Sequence, residues 1–454
     1  MIAGHSLGAA VMVAGAMLVV AVALALAMRG RPQLFPVLAI LALPFRLPIS
    51  AEGRTVNLLI PLYVVVAAGT LAHLAPRLLG RRTVYRSGRP PMALDWLLLA
   101  TVLAYALQAG YSADLGKATQ NVVFFYAPFA LLYVLLREAP WTGRLVLVCF
   151  VAAVGLAVVF AGVGFVEYQR KALLLNPKVV AANQYDNYFR VNSLFFDPSI
   201  YGRFLALVML AVTTAVLWTS RRRVLVGAGV LLWLWGGLIT SFSQSSIAAL
   251  LLGLAVLAAW RWDVRGTIYV TVALGAIAAI VAFAAPPSLH IGLSGSGGSA
   301  NNATSGRAKL VSGGLSLFAV RPLQGFGSGS FSTEYLRHHS VSSASAVSAS
   351  HTIPITVAAE QGIIGLALYV ALLVVAFVTL FSAAGRSPPR IALAACFTAL
   401  VAHTWVYADF LEDPMTWTLL GIGVALVPLA RGEAAGERLA GLSAVRPAAS
   451  VVQS

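Results

Sequence analysis

Apolar runs of helix-spanning length recur along almost the whole chain, and no other feature constrains the fold as strongly. A run of about 20 such residues is what an α-helix needs to cross the hydrocarbon core of a bilayer. Candidate spans fall at 7–28, 33–49, 56–75, 92–109, 118–136, 145–165, 199–219, 224–241, 245–260, 266–285, 353–381, 391–408 and 414–430. The run at 33–49 is the weakest, because it holds Pro36, Pro44, Arg46 and Pro48. The pair around Ser241–Ser245 reads as a tight hairpin. The expected fold is therefore all-α: a polytopic integral membrane protein with about 12–13 transmembrane helices. It carries one large extracytoplasmic loop containing amphipathic helices. The first run opens with no basic stretch and no clear cleavage site, so a cleaved leader is not expected.

Composition supports this reading. Charged residues are 10% of the 454 and apolar residues 59%, whereas soluble domains carry roughly 25% charged residues. An ordinary cytosolic enzyme, a disordered chain and a nucleic-acid-binding domain are excluded. Cys149 and Cys396 both lie inside apolar runs and read as small buried hydrophobes, not as a disulfide or a metal site.

The net charge of +16 follows from topology. When the loops are numbered alternately, one set holds 19 of the 31 basic residues, every one an arginine. They are Arg29 and Arg31; Arg77, Arg81, Arg82, Arg86 and Arg89; Arg137 and Arg144; Arg221, Arg222 and Arg223; Arg261 and Arg265; Arg386 and Arg390; and Arg431, Arg438 and Arg446. Cytoplasmic loops are enriched in Lys and Arg, so these loops and the C-terminus are expected in the cytoplasm. The expected plan is a transmembrane bundle at 1–165, an extracytoplasmic segment at 166–198, central spans at 199–285, a large extracytoplasmic loop at 286–352, C-terminal spans at 353–430 and a cytoplasmic tail at 431–454.

Long loops on a compact bundle are where function is expected. Residues 291–305 are rich in Gly, Ser and Asn and read as a flexible lead-in. From Gly306 to Val320, Leu310, Val311, Leu315, Leu317 and Phe318 recur at near-helical spacing, which predicts an amphipathic helix ended by Pro322. Gly325-Phe326-Gly327-Ser328-Gly329 follows as a turn with exposed backbone N–H groups, and a Ser/Ala-rich linker leads to His351.

Several motifs carry little chemistry here. Gly4-His5-Ser6-Leu7-Gly8 matches the hydrolase nucleophile elbow but precedes a membrane run, not a strand–helix turn. The glycine turn lacks a preceding strand and a Walker lysine. His338, His339 and His351 have no acidic or thiol partners at ligand spacing, so no metal site and no cofactor are expected. What remains is a group of outward-facing cations: Arg190, Arg203, Arg307, Lys309 and Arg321. Guanidinium groups match phosphate geometry, so the group suits a lipid diphosphate at the membrane surface. Arg203 stands within the first turns of a span, where it serves either substrate or an ion pair, with Asp197 the nearest partner in sequence. A neutral His351 could take a proton from a hydroxyl, or could cap the next helix. Glu360 is an intramembrane carboxylate, either functional or paired with an arginine.

Three stretches together resemble the O-antigen ligase and O-antigen polymerase superfamily. One is Gly306-Arg-Ala-Lys-Leu310, then Arg321-Pro-Leu-Gln-Gly-Phe-Gly-Ser-Gly-Ser-Phe331, then Ser350-His-Thr-Ile-Pro-Ile-Thr-Val-Ala-Ala-Glu-Gln-Gly-Ile-Ile-Gly365. The second is Arg190-Val-Asn-Ser-Leu-Phe-Phe-Asp-Pro-Ser-Ile-Tyr-Gly202. The third is the hairpin Ser241-Phe-Ser-Gln-Ser-Ser246. The resemblance covers roughly 185–370. It implies a metal-independent, inverting membrane glycosyltransferase. The donor would be a glycan on undecaprenyl diphosphate and the acceptor a glycan or lipid-glycan hydroxyl on the extracytoplasmic face, without nucleic acid. It implies that Arg307 engages the diphosphate and that His351 is the general base; the outward cations Arg190, Arg203, Lys309 and Arg321 are the further candidate diphosphate ligands, with Glu360 and Gln244 as candidate supporting residues. Many family members carry an arginine where this chain has Gln244, so Arg190 or Arg203 would have to supply that charge. Ligation and repeat-unit polymerisation remain alternatives. A lipid or polysaccharide transporter is the reading from another class, but no repeated half is visible and the charges gather at one face. The related peptidoglycan polymerases carry an aspartate in the large loop; between Pro286 and Thr352 this chain has none.

Overall fold

The computed structural model describes residues 7–51, 54–80, 91–174, 189–218, 221–262, 299–339, 352–382, 387–407 and 409–427. In chain order the elements are α1 (Leu7–Gly30), α2 (Leu34–Ala42), β1 (Leu47–Ala51), β2 (Arg54–Leu58), α3 (Ile60–Leu78), α4 (Ala93–Ala109), α5 (Leu115–Glu138) and α6 (Gly143–Arg170). Then come α7 (Pro198–Leu217), α8 (Arg221–Thr240), α9 (Gln244–Arg261), α10 (Ser299–Val320), α11 (Phe331–His339), α12 (Ile353–Phe381), α13 (Pro388–Thr404) and α14 (Pro414–Ala425).

The chain is a helical, multi-span membrane protein. Seven of the described helices are long and apolar enough to cross a bilayer: α1, α3, α5, α6, α7, α9 and α12. Shorter apolar helices include α4, residues Val224–Thr240 of α8, and α14. The expected span at 266–285 lies outside the described residues, as do 175–188 of the 166–198 segment and 286–298 and 340–351 of the 286–352 segment.

The run at 33–49 is not a span. It forms the nine-residue helix α2 and then the first strand of an antiparallel hairpin, with Leu47 opposite Leu58 and Ala51 opposite Arg54. Pro44 and Pro48 end the helical pattern, since proline cannot donate to the helix ladder. The amphipathic helix of the large loop begins earlier than its spacing suggests, at Ser299. Its buried face is Leu310, Gly313, Gly314 and Leu317, whereas Leu315 is exposed. The two glycines let Tyr335, Phe331 and Ile355 approach the helix backbone.

Two apolar cores hold the bundle. The first joins α2–α5 to α12–α14 through Phe35, Phe129, Leu372, Phe397 and Trp417. The second joins α6–α9 to α13 through Phe160, Tyr201, Leu205, Leu238 and Leu400. α13 contributes to both and is the central helix. Cys149 and Cys396 are buried free thiols.

Polar contacts gather at two ends of the bundle. At one end Arg77 pairs with Glu138, Arg137 Nε lies 2.9 Å from Asp95, and Arg390 donates to the Thr379 carbonyl at 3.0 Å. Arg190, Arg203, Gln244, Arg321 and Glu360 lie at the other.

Candidate functional site

Two Asp-Pro steps start the helices that frame this end. Asp197 Oδ1 caps α7 by accepting from Ser199 N at 2.7 Å, and Asp413 Oδ1 caps α14 by accepting from Met415 N at 2.9 Å. Both place proline at the first helical position, where its missing N–H costs nothing. The cap at Asp413 leaves its second oxygen free to face Arg203, and the two form a fully buried ion pair. The expectation that Asp197 would pair with Arg203 is thereby corrected. Asp197 is committed to the helix start, and the partner comes from the far end of the chain.

The serine hairpin between α8 and α9 packs against α7. Ser243 is the N-cap of α9, and the Oγ atoms of Ser245 and Ser246 each lie 3.2 Å from Nε2 of the buried His403. Ser246 Oγ also donates to the Ser199 carbonyl at 3.2 Å. Phe242 turns the chain at φ 49°. Gln244 is the first residue of α9 and is exposed. Arg190 Nε donates to the Ser241 carbonyl at 3.3 Å, which sets this cation against the hairpin. Just beyond Arg190, Ser193 sits at φ 52°, and its N–H donates to Glu167 at 2.7 Å.

The glycine turn forms the opposite wall. α12 is broken at Gly362, where φ is 65° and ψ −163°. A side chain there would strike the Leu323 carbonyl, and one at Gly325 (φ 66°) would strike the backbone of Glu360. The two backbones therefore lie directly against each other, which glycine alone allows without strain. Gly329 N and Phe331 N donate to the Glu360 carboxylate at 2.8 and 3.0 Å, and Phe326 N donates to the Ala359 carbonyl at 3.3 Å. The backbone N–H groups expected to be exposed are in part taken up by the protein's own carboxylate. Among the described residues, Glu360 thus pairs with backbone amides. The turn is further tied to the α4–α5 connection: Ser112 Oγ donates to the Ser328 carbonyl at 2.8 Å and Ala113 N to the Phe326 carbonyl at 3.2 Å. Arg321 is exposed and lies over the Phe326 ring at 4.6 Å.

Glu412 bridges the two walls. It directly precedes Asp413, accepts from Asn121 Nδ2 at 2.7 Å, and its charge acts on Glu360. Burial pushes its carboxyl above the usual range; Lys117 and Arg46 oppose that rise and Asp409 adds to it.

The structure brings Arg190, Arg203, Gln244, Arg321 and Glu360 to one end of the bundle. Arg307 and Lys309 lie on the α10 backbone, but their side chains are outside the described residues, and so is His351. Sequence reasoning missed Asp413, Glu412, His403, Asn121 and Lys117. The available signal was the acidic pair Glu412-Asp413 between two apolar runs, and a lone lysine in a short connection.

No curated protein matches the chain. Residues 229–370 match the family model described as O-antigen ligase, which takes in the serine hairpin, α10, the glycine turn and Glu360. Over that stretch the chain is similar to the O-antigen ligase family.

Proposed function

We propose that the chain transfers a glycan from undecaprenyl diphosphate to an acceptor hydroxyl on the extracytoplasmic face of the bacterial plasma membrane. The observation that carries this reading is the O-antigen ligase match over 229–370, the stretch that bears Arg307, Lys309, Arg321, His351 and Glu360. The arginine bias of the alternate loops supports the orientation, with the C-terminus in the cytoplasm.

In this mechanism the acceptor oxygen attacks the anomeric carbon as the bond to the diphosphate oxygen breaks. His351 takes the hydroxyl proton, and the electron pair leaves with the lipid diphosphate. Direct displacement inverts the anomeric centre. Arg307, with Arg190, Arg321 and Lys309, stabilises the charge that develops on the leaving group, so no metal is needed. Glu360 holds the glycine turn, and through it the segment that follows Arg321. Arg203, tied to Asp413, acts as a positioning residue for the α7 start.

The test is a turnover assay in proteoliposomes with an undecaprenyl-diphosphate-linked glycan and EDTA, comparing wild type, His351→Ala and Arg307→Ala. Lipid diphosphate released only by wild type supports the reaction and both roles. A single-addition product identifies ligation, and a ladder identifies polymerisation. Wild type that releases nothing with any acceptor overturns the reading and directs attention to lipid-linked glycan translocation.

A further inference from the structure

Next to the Arg203–Asp413 pair, side chains from several elements converge in a place that the transfer step above does not use. Glu412 stands between α13 and α14, within hydrogen-bond reach of Asn121 Nδ2 (2.7 Å) and 3.5 Å from the Tyr126 hydroxyl. The charges of Lys117, Asp409 and Arg46 act on it, and Lys117 also acts on Glu360. Arg46, Lys117, Asp409 and Glu412 are each partly exposed, so the cluster opens outward.

The surroundings of this cluster are built and not incidental. Asn121 and Tyr126 bracket the π-helical turn Val122–Tyr126 inside α5. Such turns occur often at functional sites. Asp409 holds φ 78°, an uncommon conformation for a residue with a side chain.

A buried amide points to a ligand. Asn121 is 2% exposed, and its Oδ1 has no hydrogen-bond partner among the described residues. Buried polar atoms are rarely left without a partner, and a hydroxyl group would donate to this one. The ring of Tyr126, beside it, meets Tyr105 edge-on at 4.7 Å.

The charges select among hydroxyl-bearing and ionic ligands. Lys117 and Arg46 face the carboxylates of Asp409 and Glu412, and the Glu360 carboxylate also acts on Glu412, so the cluster has no positive excess to hold a phosphate, and its carboxylates already have cations beside them. A neutral sugar fits: its hydroxyls donate to Asp409, Glu412 and Asn121 and accept from Lys117 and Arg46. We propose that Arg46, Lys117, Asn121, Asp409 and Glu412 form a glycan subsite that holds a neutral sugar through its hydroxyls. The inference rests on the transferase reading and names what the mouth beside the transfer site recognises. The sugar belongs to either the acceptor or the donor glycan, and the two are separated kinetically.

The experiment uses the full chain in nanodiscs. The probe is neutral envelope glycan released by mild acid from the bacterium that makes the protein, with binding read by saturation-transfer NMR. Glu412→Gln and Lys117→Met are compared with wild type, and undecaprenyl diphosphate binding is measured on the same samples. Each variant is expected to weaken glycan binding by about tenfold, the scale of one hydrogen bond to a charged group, while lipid diphosphate binding changes less than about twofold. In turnover, a rise in KM for the acceptor alone assigns the subsite to the acceptor, and a rise for the donor alone assigns it to the donor glycan. Asn121→Asp, which keeps the side-chain shape, serves as a second variant should either of the others fail to fold. The proposal is overturned if wild type binds no glycan, if the variants bind it unchanged, or if glycan and lipid diphosphate binding fall together. The cluster would then be a hydrated structural network. Absence of turnover in wild type would instead overturn the transferase reading and leave the binding result standing.

Discussion

Arg203 and Asp413 form an ion pair that neither shares with solvent, and it fastens the start of α7 to the start of α14. Taking two charges out of water is costly, so such a pair contributes little net stability over an apolar pair. Breaking it strands one charge, which costs about 3–5 kcal/mol. Asp413→Ala should therefore lower the midpoint of thermal unfolding in detergent sharply. The double variant Arg203→Met/Asp413→Leu should recover most of that loss. If the double variant is no more stable than Asp413→Ala, the pair is not the source of the effect.

The break in α12 should be equally sensitive to a single methyl group. Gly362 and Gly325 face each other's backbone across the glycine turn at φ 65° and 66°. Alanine at either position needs a strained conformation that costs about 1–3 kcal/mol before any collision is counted. Gly362→Ala should reduce both folded yield and turnover. Gly155→Ala in α6, where a Cβ meets nothing within 4 Å, is the control and should be neutral or mildly stabilising. Equal yields for the two variants would show that the turn tolerates separation from the helix. Glu360→Gln should behave like a milder Gly362→Ala, because the amide keeps one acceptor for Gly329 N and Phe331 N but loses the charge that strengthens both bonds.

Acid should stabilise the surroundings of Glu412. Its carboxyl titrates above the usual range because burial disfavours the charged form. The folded state therefore holds the proton more tightly than the unfolded state. The stabilisation is fully present below the unfolded value of about 4.3 and is lost as pH rises through the folded value. Wild type should lose stability relative to Glu412→Gln across that interval. Thermal unfolding measured from acid to neutral pH checks it, and parallel curves for the two proteins would contradict the shift.

The bundle was legible because each long span is a run of apolar residues with its own local signal. The segment 33–49 misled because apolar content alone does not separate a span from a short helix followed by a hairpin; the prolines and Arg46 decide it. On α10 the residues that face inward include Gly313 and Gly314, which carry no hydrophobic signal, so the apolar spacing misassigned Leu315. The cations beside the serine hairpin and the glycine turn could be named one by one, but their partners could not. Asn121 and Glu412 are 291 positions apart, and nothing local links them. Arg203 read as tied to Asp197 because sequence proximity was the only guide, and a helix cap had already claimed that aspartate.

Gln244 is the position where a gain of function is most accessible. It opens α9, is exposed, and stands one residue after the Ser243 cap in a hairpin that also receives Arg190. The superfamily that this chain resembles often carries an arginine at the corresponding place. A guanidinium there would have room to extend without displacing a buried group. Its cost is small, because a cation at a helix N-terminus opposes the macrodipole by about 0.3–1 kcal/mol at an exposed site. If the lipid diphosphate sits against this hairpin, Gln244→Arg should raise kcat/KM for the donor, with thermal stability lowered only slightly. It should also partly rescue Arg190→Ala, because either guanidinium would then face the same phosphate oxygens. Unchanged donor kinetics in Gln244→Arg, together with full turnover in Arg190→Ala, would place the diphosphate elsewhere and leave the charge on the leaving group to Arg307, Lys309 and Arg321.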